Sequence, residues 1–237
     1  MANPLIRRAV SLAIDREGIV DAVLSGVGGV PAGTVVPAGK NWAADIDPVY
    51  DPAQAEKLLA EAGAVKEGGQ WMLDGAPLEI DILTYSSRAA LPPTAELTQA
   101  FLQQIGITSS IRVGEYGASN DAMAAGEGDM VLQAWVMLPQ GDPGSILEFL
   151  LKTDGGSNAG RYSNPDLDAL LDAGRVTFDQ AERKVIYDEV QQIIAADAAM
   201  IPVFHVSQAN VSKPGLTGYA VHPTETYWLT HETALTE

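Results

Sequence analysis

Apolar positions early in the chain recur at helical spacing. After Asn3-Pro4, the residues Leu5, Ala9, Leu12 and Ala13 fall on one face, and Asp15 is placed to cap a second helix carrying Ile19, Val20, Val23 and Leu24 until Gly26 stops it. Residues 26–42 hold several Gly and Pro and predict a long irregular loop. Asp51-Pro52 opens another helix, with Ala55, Leu58, Leu59 and Ala62 on one side and Gly63 as its stop. The pairing of Asn or Asp with Pro recurs at Asp47, Asp142 and Asn164. An Asn or Asp oxygen accepts a bond from an orphan backbone N–H, and Pro gives up an N–H that has no partner there, so most of these pairs predict helix starts.

The period then shortens to two. Asp74-Gly75 is a hairpin signal, and Leu78, Ile80 and Ile82 alternate with Glu79 and Asp81 as a half-buried strand does. A helix over 94–105 with Leu97, Phe101 and Ile105 on one face is released by Gly106 into a strand through Ile107, Ile111 and Val113. Strand, helix, strand with short links is a βαβ unit, which favours a parallel pair. A short helix over 118–125 and a strand over 130–137 continue the alternation, so the lobe reads as α/β. Helices dominate next: one after Asp142-Pro143, one after Asn164-Pro165 with Leu167, Leu170 and Leu171, and one over 182–196 through Ile186, Val190, Ile193 and Ile194. Strand-like character returns at 201–206 and yields to an irregular tail.

Composition narrows the function. With 237 residues the chain can form one large or two small domains, and 31 acidic against 14 basic residues leave a net charge of −17. That charge opposes nucleic acid and anionic membrane surfaces as partners. The absence of cysteine excludes disulfides, thiolate nucleophiles and Fe–S clusters. No apolar run reaches the ~20 residues of a bilayer span. The basic pair Arg7-Arg8 is followed by no apolar leader core, so the sequence reads either as cytoplasmic or as lacking its natural beginning.

Candidate chemistry is sparse. No Gly-x-Ser-x-Gly elbow occurs, and His205, His222 and His231 lack zinc-hydrolase spacing. Glu225, His231 and Glu232 lie near His222 and would gather a metal only if the tail folded around it. Gly28-Gly29, Gly68-Gly69 and Gly155-Gly156 match no phosphate-binding fingerprint and read as turns. The most informative stretches are 133–143 and 157–165, because in an open α/β sheet ligands sit beyond the carboxyl ends of strands. There Trp135 and Tyr162 can supply flat apolar contact, and Gln140, Asn158 and Arg161 can supply donors. The competing reading makes Trp135 core, Asp142 a helix cap and Arg161 the partner of an acid.

Several stretches, taken in order, resemble a known family. These are 3–17 (NPLIRRAVSLAIDRE), 50–63 (YDPAQAEKLLAEAG), Leu102-Gln-Gln-Ile-Gly-Ile107, the loop from Trp135 to Asp142-Pro143, 162–171 (YSNPDLDALL) and Ile201-Pro-Val-Phe204. Together they resemble the family 5 solute-binding proteins of ABC importers, receptors for dipeptides, oligopeptides and nickel. The resemblance implies a periplasmic-binding-protein-like lobe with a mixed sheet flanked by helices and an irregular C-terminal tail. Residues 1–199 would be the carboxyl-terminal α/β lobe, and 200–237 a return segment packing on an amino-terminal lobe that this chain lacks. It implies a peptide or peptide-like solute, or a chelated metal, delivered to an ABC permease. It also implies a periplasmic or extracellular site, reached as a membrane-anchored lipoprotein, with no catalytic residue, metal ligand or cofactor. The ligand-binding set it suggests is Trp135, Met137, Leu138, Gln140, Asp142, Asn158, Arg161 and Tyr85. In peptide-binding members an acid soon after the tryptophan receives the peptide's amino terminus. Here Val136, Met137 and Leu138 follow Trp135 and the first acid is Asp142, a departure that puts a simple dipeptide amine site in question. The loop also lacks the tyrosine and any histidine expected of the nickel branch.

Overall fold

The capping residues begin helices where the sequence places them. The computed structural model describes residues 1–207, 211–219 and 229–236. Asn3 Oδ1 accepts the Leu5 N–H at 2.9 Å to start α1 (Pro4–Ala13), Asp15 Oδ1 accepts from Gly18 at 3.0 Å to start α2 (Arg16–Leu24), and Asp51 Oδ1 accepts from Gln54 at 2.9 Å to start α3 (Pro52–Glu61). The intervening loop is irregular apart from a short strand, β1 (Gly29–Pro31).

An antiparallel meander follows: β2 (Val65–Glu67), β3 (Gln70–Leu73) and β4 (Ala76–Pro77), turning at Gly68-Gly69 and at Asp74-Gly75. Next come β5 (Glu79–Tyr85), α4 (Leu91–Gln104), β6 (Thr108–Gly114), α5 (Tyr116–Ala125) and β7 (Met130–Val131). These strands form the parallel sheet β6-β5-β7. Gly106 links α4 to β6 at φ +91°, and a Cβ there would lie 2.3 Å from the Gly69 carbonyl oxygen, so only glycine fits. The close approach is used: Trp71 donates its backbone N–H to Gly106 O at 3.0 Å and its indole N–H to Ile105 O at 2.7 Å.

The strand expected over 130–137 is corrected to two residues. After β7 the chain leaves the sheet, held by the Leu132 N–H on Leu83 O at 2.8 Å and the Ala134 N–H on the Tyr85 hydroxyl at 3.2 Å. Three helices follow: α6 (Gly144–Leu151), α7 (Pro165–Val176) and α8 (Gln180–Asp197). Then β8 (Phe204–Val206) pairs antiparallel with β1, and β9 (Leu216–Thr217) pairs with β10 (Ala234–Leu235).

Two apolar cores result. One joins α1, α3 and α4 to the parallel sheet through residues such as Val10, Leu59, Ile82 and Leu102. The other joins α6, α7 and α8 to the loop around Val36 and Trp42 through Leu147, Leu167, Tyr187 and Ile194. The buried stripe of α8 is Tyr187, Val190, Gln191 and Ile194, so a polar residue takes a core position that the pattern assigned to isoleucines. Gln191 is satisfied there, donating to Trp42 O at 2.8 Å and Tyr187 O at 2.9 Å.

Candidate functional site

A partly open cleft of about 1350 Å³ runs along the margins of both cores. Its walls are the amino end of α1, the loop around Val35–Lys40, and the segments 128–138, 157–163 and 197–206. Each segment is fixed by bonds that its own residues make.

On the first segment, the half-buried Trp135 donates its indole N–H to Gln133 Oε1 at 2.8 Å and stands edge-on to Phe149 with ring centroids 6.1 Å apart. Gln133 in turn bonds Asn120 of α5. On the second, Asn158 donates Nδ2 to Tyr162 O at 2.7 Å and Lys152 O at 3.0 Å while its Oδ1 accepts the Tyr162 N–H at 3.0 Å. Arg161, in the left-handed region at φ 52°, donates Nη2 to Ala124 O at 3.1 Å, supplying a cation to the carboxyl end of α5. The expected acid partner is thus replaced by a helix-end carbonyl.

On the third segment, Asp197 Oδ2 accepts the Tyr162 hydroxyl at 2.6 Å and Asn164 Nδ2 at 3.0 Å, and Arg7 Nε donates to Asp197 O at 2.9 Å. Burial, aided by the Asp197 carboxylate, raises the Tyr162 pKa and keeps the phenol neutral. His205 also reaches the cleft, its Nε2 2.9 Å from Thr34 O, and burial lowers its pKa below the ordinary 6.5.

Of the residues singled out in the sequence, Trp135, Met137, Leu138, Asn158 and Arg161 meet on this cleft, and Gln140, Asp142 and Tyr85 do not line it. Tyr85 is 3% exposed and committed to Ala134 and to an edge contact with Tyr116 at 5.0 Å. Gln140 is exposed and accepts from the Ser145 hydroxyl at 2.5 Å. Asp142 lies one residue ahead of the N-cap of α6, Pro143, and accepts the Gly144 N–H at 2.8 Å, while its other oxygen lies 2.7 Å from Arg183 Nη2. That guanidinium also lies over Trp42 and Tyr187, and Trp42 donates to Gly141 O at 2.7 Å, so Asp142 anchors its loop to the second core.

Sequence reasoning missed the cleft cations Arg7, Lys40 and Arg88. Only Arg88 had a signal, since it follows the carboxyl end of β5. Among the described residues no group of three or more His, Cys, Asp or Glu is placed to hold a metal ion. His222 and Glu225, weighed as tail ligands with His231 and Glu232, lie outside the described residues.

Residues 1–158 match the model of the bacterial extracellular solute-binding proteins, family 5 middle region. A probable di/tripeptide-binding protein 5 of Pseudomonas aeruginosa is 32% identical over 231 residues, covering 93% of this chain and 41% of the relative. A crystal structure of a nickel ABC transporter protein from Bacillus halodurans superposes with a TM-score of 0.82 at 26% identity, covering 97% of this chain and 48% of that one. The oligopeptide-binding protein AppA of Bacillus subtilis, in complex with a nonapeptide, shares the fold with a TM-score of 0.81 at 24% identity, covering 99% and 48%. The chain therefore spans about two fifths of the length of the curated relatives it matches.

Proposed function

The chain belongs to the bacterial extracellular solute-binding proteins of family 5, and we propose that it forms one wall of the cleft in which an ABC importer's receptor captures a peptide or peptide-like solute. The observation that carries this reading is the 1350 Å³ cleft, because its segment 128–138 lies within the residues matched to the family and brings Trp135 to the wall. A solute touching this wall and an opposing one stabilises the closed receptor by its differential affinity, and a permease that recognises the closed form receives loaded receptor in preference.

In this reading residues 1–199 are a lobe and 200–237 a return segment. The pairing of β8 with β1 supports an anchored start to that segment. Trp135 and Leu138 supply apolar contact, while Asn158 shapes the loop behind them. The function is binding rather than catalysis, as in the rest of this solute-binding family. No helix among the described residues is long and apolar enough to cross a membrane.

A second solute class, a chelated metal, is favoured by the likeness to the nickel transporter protein. A chelate would bring its own donors to the ion. Native mass spectrometry of the receptor purified without refolding tests the reading. A retained peptide mass supports the first class, a metal isotope pattern the second, and turnover of a peptide or ester without retention would refute both.

A further inference from the structure

We infer that the breadth of solute choice at this wall is set by methionines, so that one receptor takes peptides whose apolar side chains differ in shape, aromatic as well as aliphatic. The inference rests on the receptor reading above and deepens it. The chain has six methionines. Leaving aside Met1, the first residue, four of the remaining five border the cleft: Met123, Met130, Met137 and Met200. The fifth, Met72, lies in β3. The four come from α5, from β7, from the segment after β7 and from the segment after α8, so tertiary placement gathers them and no local motif does.

Met123 and Met137 are 7% and 9% exposed. Met130 and Met200 are half-buried, Met130 packed against the first core and Met200 against the second, and each borders the cleft. An unbranched side chain with three rotatable bonds refits itself to a neighbour at little cost, and its polarizable sulfur makes favourable contact with aromatic rings. A wall of stiffer, β-branched side chains has fewer arrangements and favours one shape. Leu132 and Leu138 extend the same apolar surface. The nearby carboxylates are engaged: Asp197 by Tyr162 and Asn164, and Asp129 by the Asp81 N–H and, at 3.8 Å, the amino terminus. A side chain lying on this stretch is therefore recognised by burial and not by a fixed polar partner, and burial is non-directional.

The whole receptor is purified without refolding and offered tripeptides Ala-X-Ala, X being Gly, Leu, Ile, Phe or Trp, with affinity read by calorimetry. Each apolar X should bind about tenfold more tightly than Gly, and the four should fall within about threefold of one another. A preference for one apolar X above about tenfold, or none over Gly, overturns the inference and leaves the receptor reading in place. If no tripeptide binds, the solute that co-purifies decides. A mixture of peptides with varied apolar side chains supports the inference, a single peptide sequence overturns it, and a non-peptide solute or none refutes the peptide reading and this inference with it. The variant Met130→Ile/Met200→Ile puts stiff side chains of similar volume at the two half-buried positions. It should widen the spread among the four peptides to about tenfold at a melting temperature close to that of the native protein. An unchanged spread, or the same widening in Met72→Ile, overturns the assignment of breadth to these methionines. Peroxide treatment tests the two side chains without substitution: one oxygen passes from the peroxide to each accessible sulfur, water is released, and the polar sulfoxide should remove most of the preference over Gly. Retention of that preference when peptide mass mapping shows Met130 and Met200 oxidised would overturn it as well.

Discussion

Asn158 and Arg161 border the same cleft from one loop, but their side chains are committed differently. Asn158 uses its nitrogen and its oxygen on the backbone of Lys152 and Tyr162, which closes the loop on itself. Asn158→Ala leaves those half-buried groups unpaired and should lower unfolding stability by about 1–3 kcal/mol in urea titration. A loss below about 0.5 kcal/mol would mean that water replaces the amide. His205 makes the pH prediction at this scale. Burial depresses its folded pKa below the ordinary 6.5, so on acidification the unfolded chain takes the proton first. Its contribution is therefore complete above the unfolded value and is lost as pH falls through that value toward the folded one. Melting temperature should drop more between about pH 7 and pH 5 for the native protein than for His205→Gln. Parallel curves for the two would show that the imidazole does not titrate in this way.

At the scale of elements, helices were the legible part because their starts are written locally. Asn3, Asp15, Asp51 and Asn164 each cap the helix they precede, and all but Asp15 are followed by a Pro at the first helical position. The strand over 130–137 was misread because an apolar run says nothing about whether a neighbour is present to pair with it. β7 pairs with β5 for two residues only, then turns outward, and the apolar residues that follow line a cleft and a second core. The cleft was half legible for a related reason. Trp135 sits in the segment that leaves β7, where strand order points, whereas Arg161, between α6 and α7, and Lys40, in the loop before α3, reach the cleft through tertiary placement. The same dependence on distant partners appears at Arg16, a 5% exposed guanidinium at the head of α2. It donates to Pro202 O at 2.8 Å, to Ser11, Ile14 and Val49 carbonyls at 3.0 to 3.3 Å and to the Ser11 hydroxyl at 2.9 Å, with no carboxylate partner among the described residues. Burial lowers its pKa to about 10, which leaves it charged at neutral pH. Arg16→Met would orphan carbonyls on α1, the loop before α3 and the segment before β8 together, and should cost about 2–4 kcal/mol. A chevron or urea midpoint within about 0.5 kcal/mol of the native protein would refute that role.

For the whole molecule, two cores and an open cleft separate stability from binding. Each core closes within the chain: the first through the parallel sheet and α1, α3 and α4, the second through α6, α7 and α8. These 237 residues expressed alone should therefore unfold cooperatively, with a sigmoidal urea transition. In the proposed receptor, binding has no such closure, because the cleft is walled here on part of its surface and Lys40 and Arg88 at its margin stay open to water. Exposed charge pairs contribute on the order of 1 kcal/mol or less, and association first has to overcome the loss of translational freedom, several kcal/mol at least. One wall cannot reach both terms, while a second wall that excludes water would strengthen every contact already made on the first. Isothermal calorimetry of the isolated chain, with the solute found by native mass spectrometry, should show no binding at about 1–10 μM. Micromolar affinity from this chain alone would mean that its own wall is sufficient and that closure against a second lobe contributes nothing to capture.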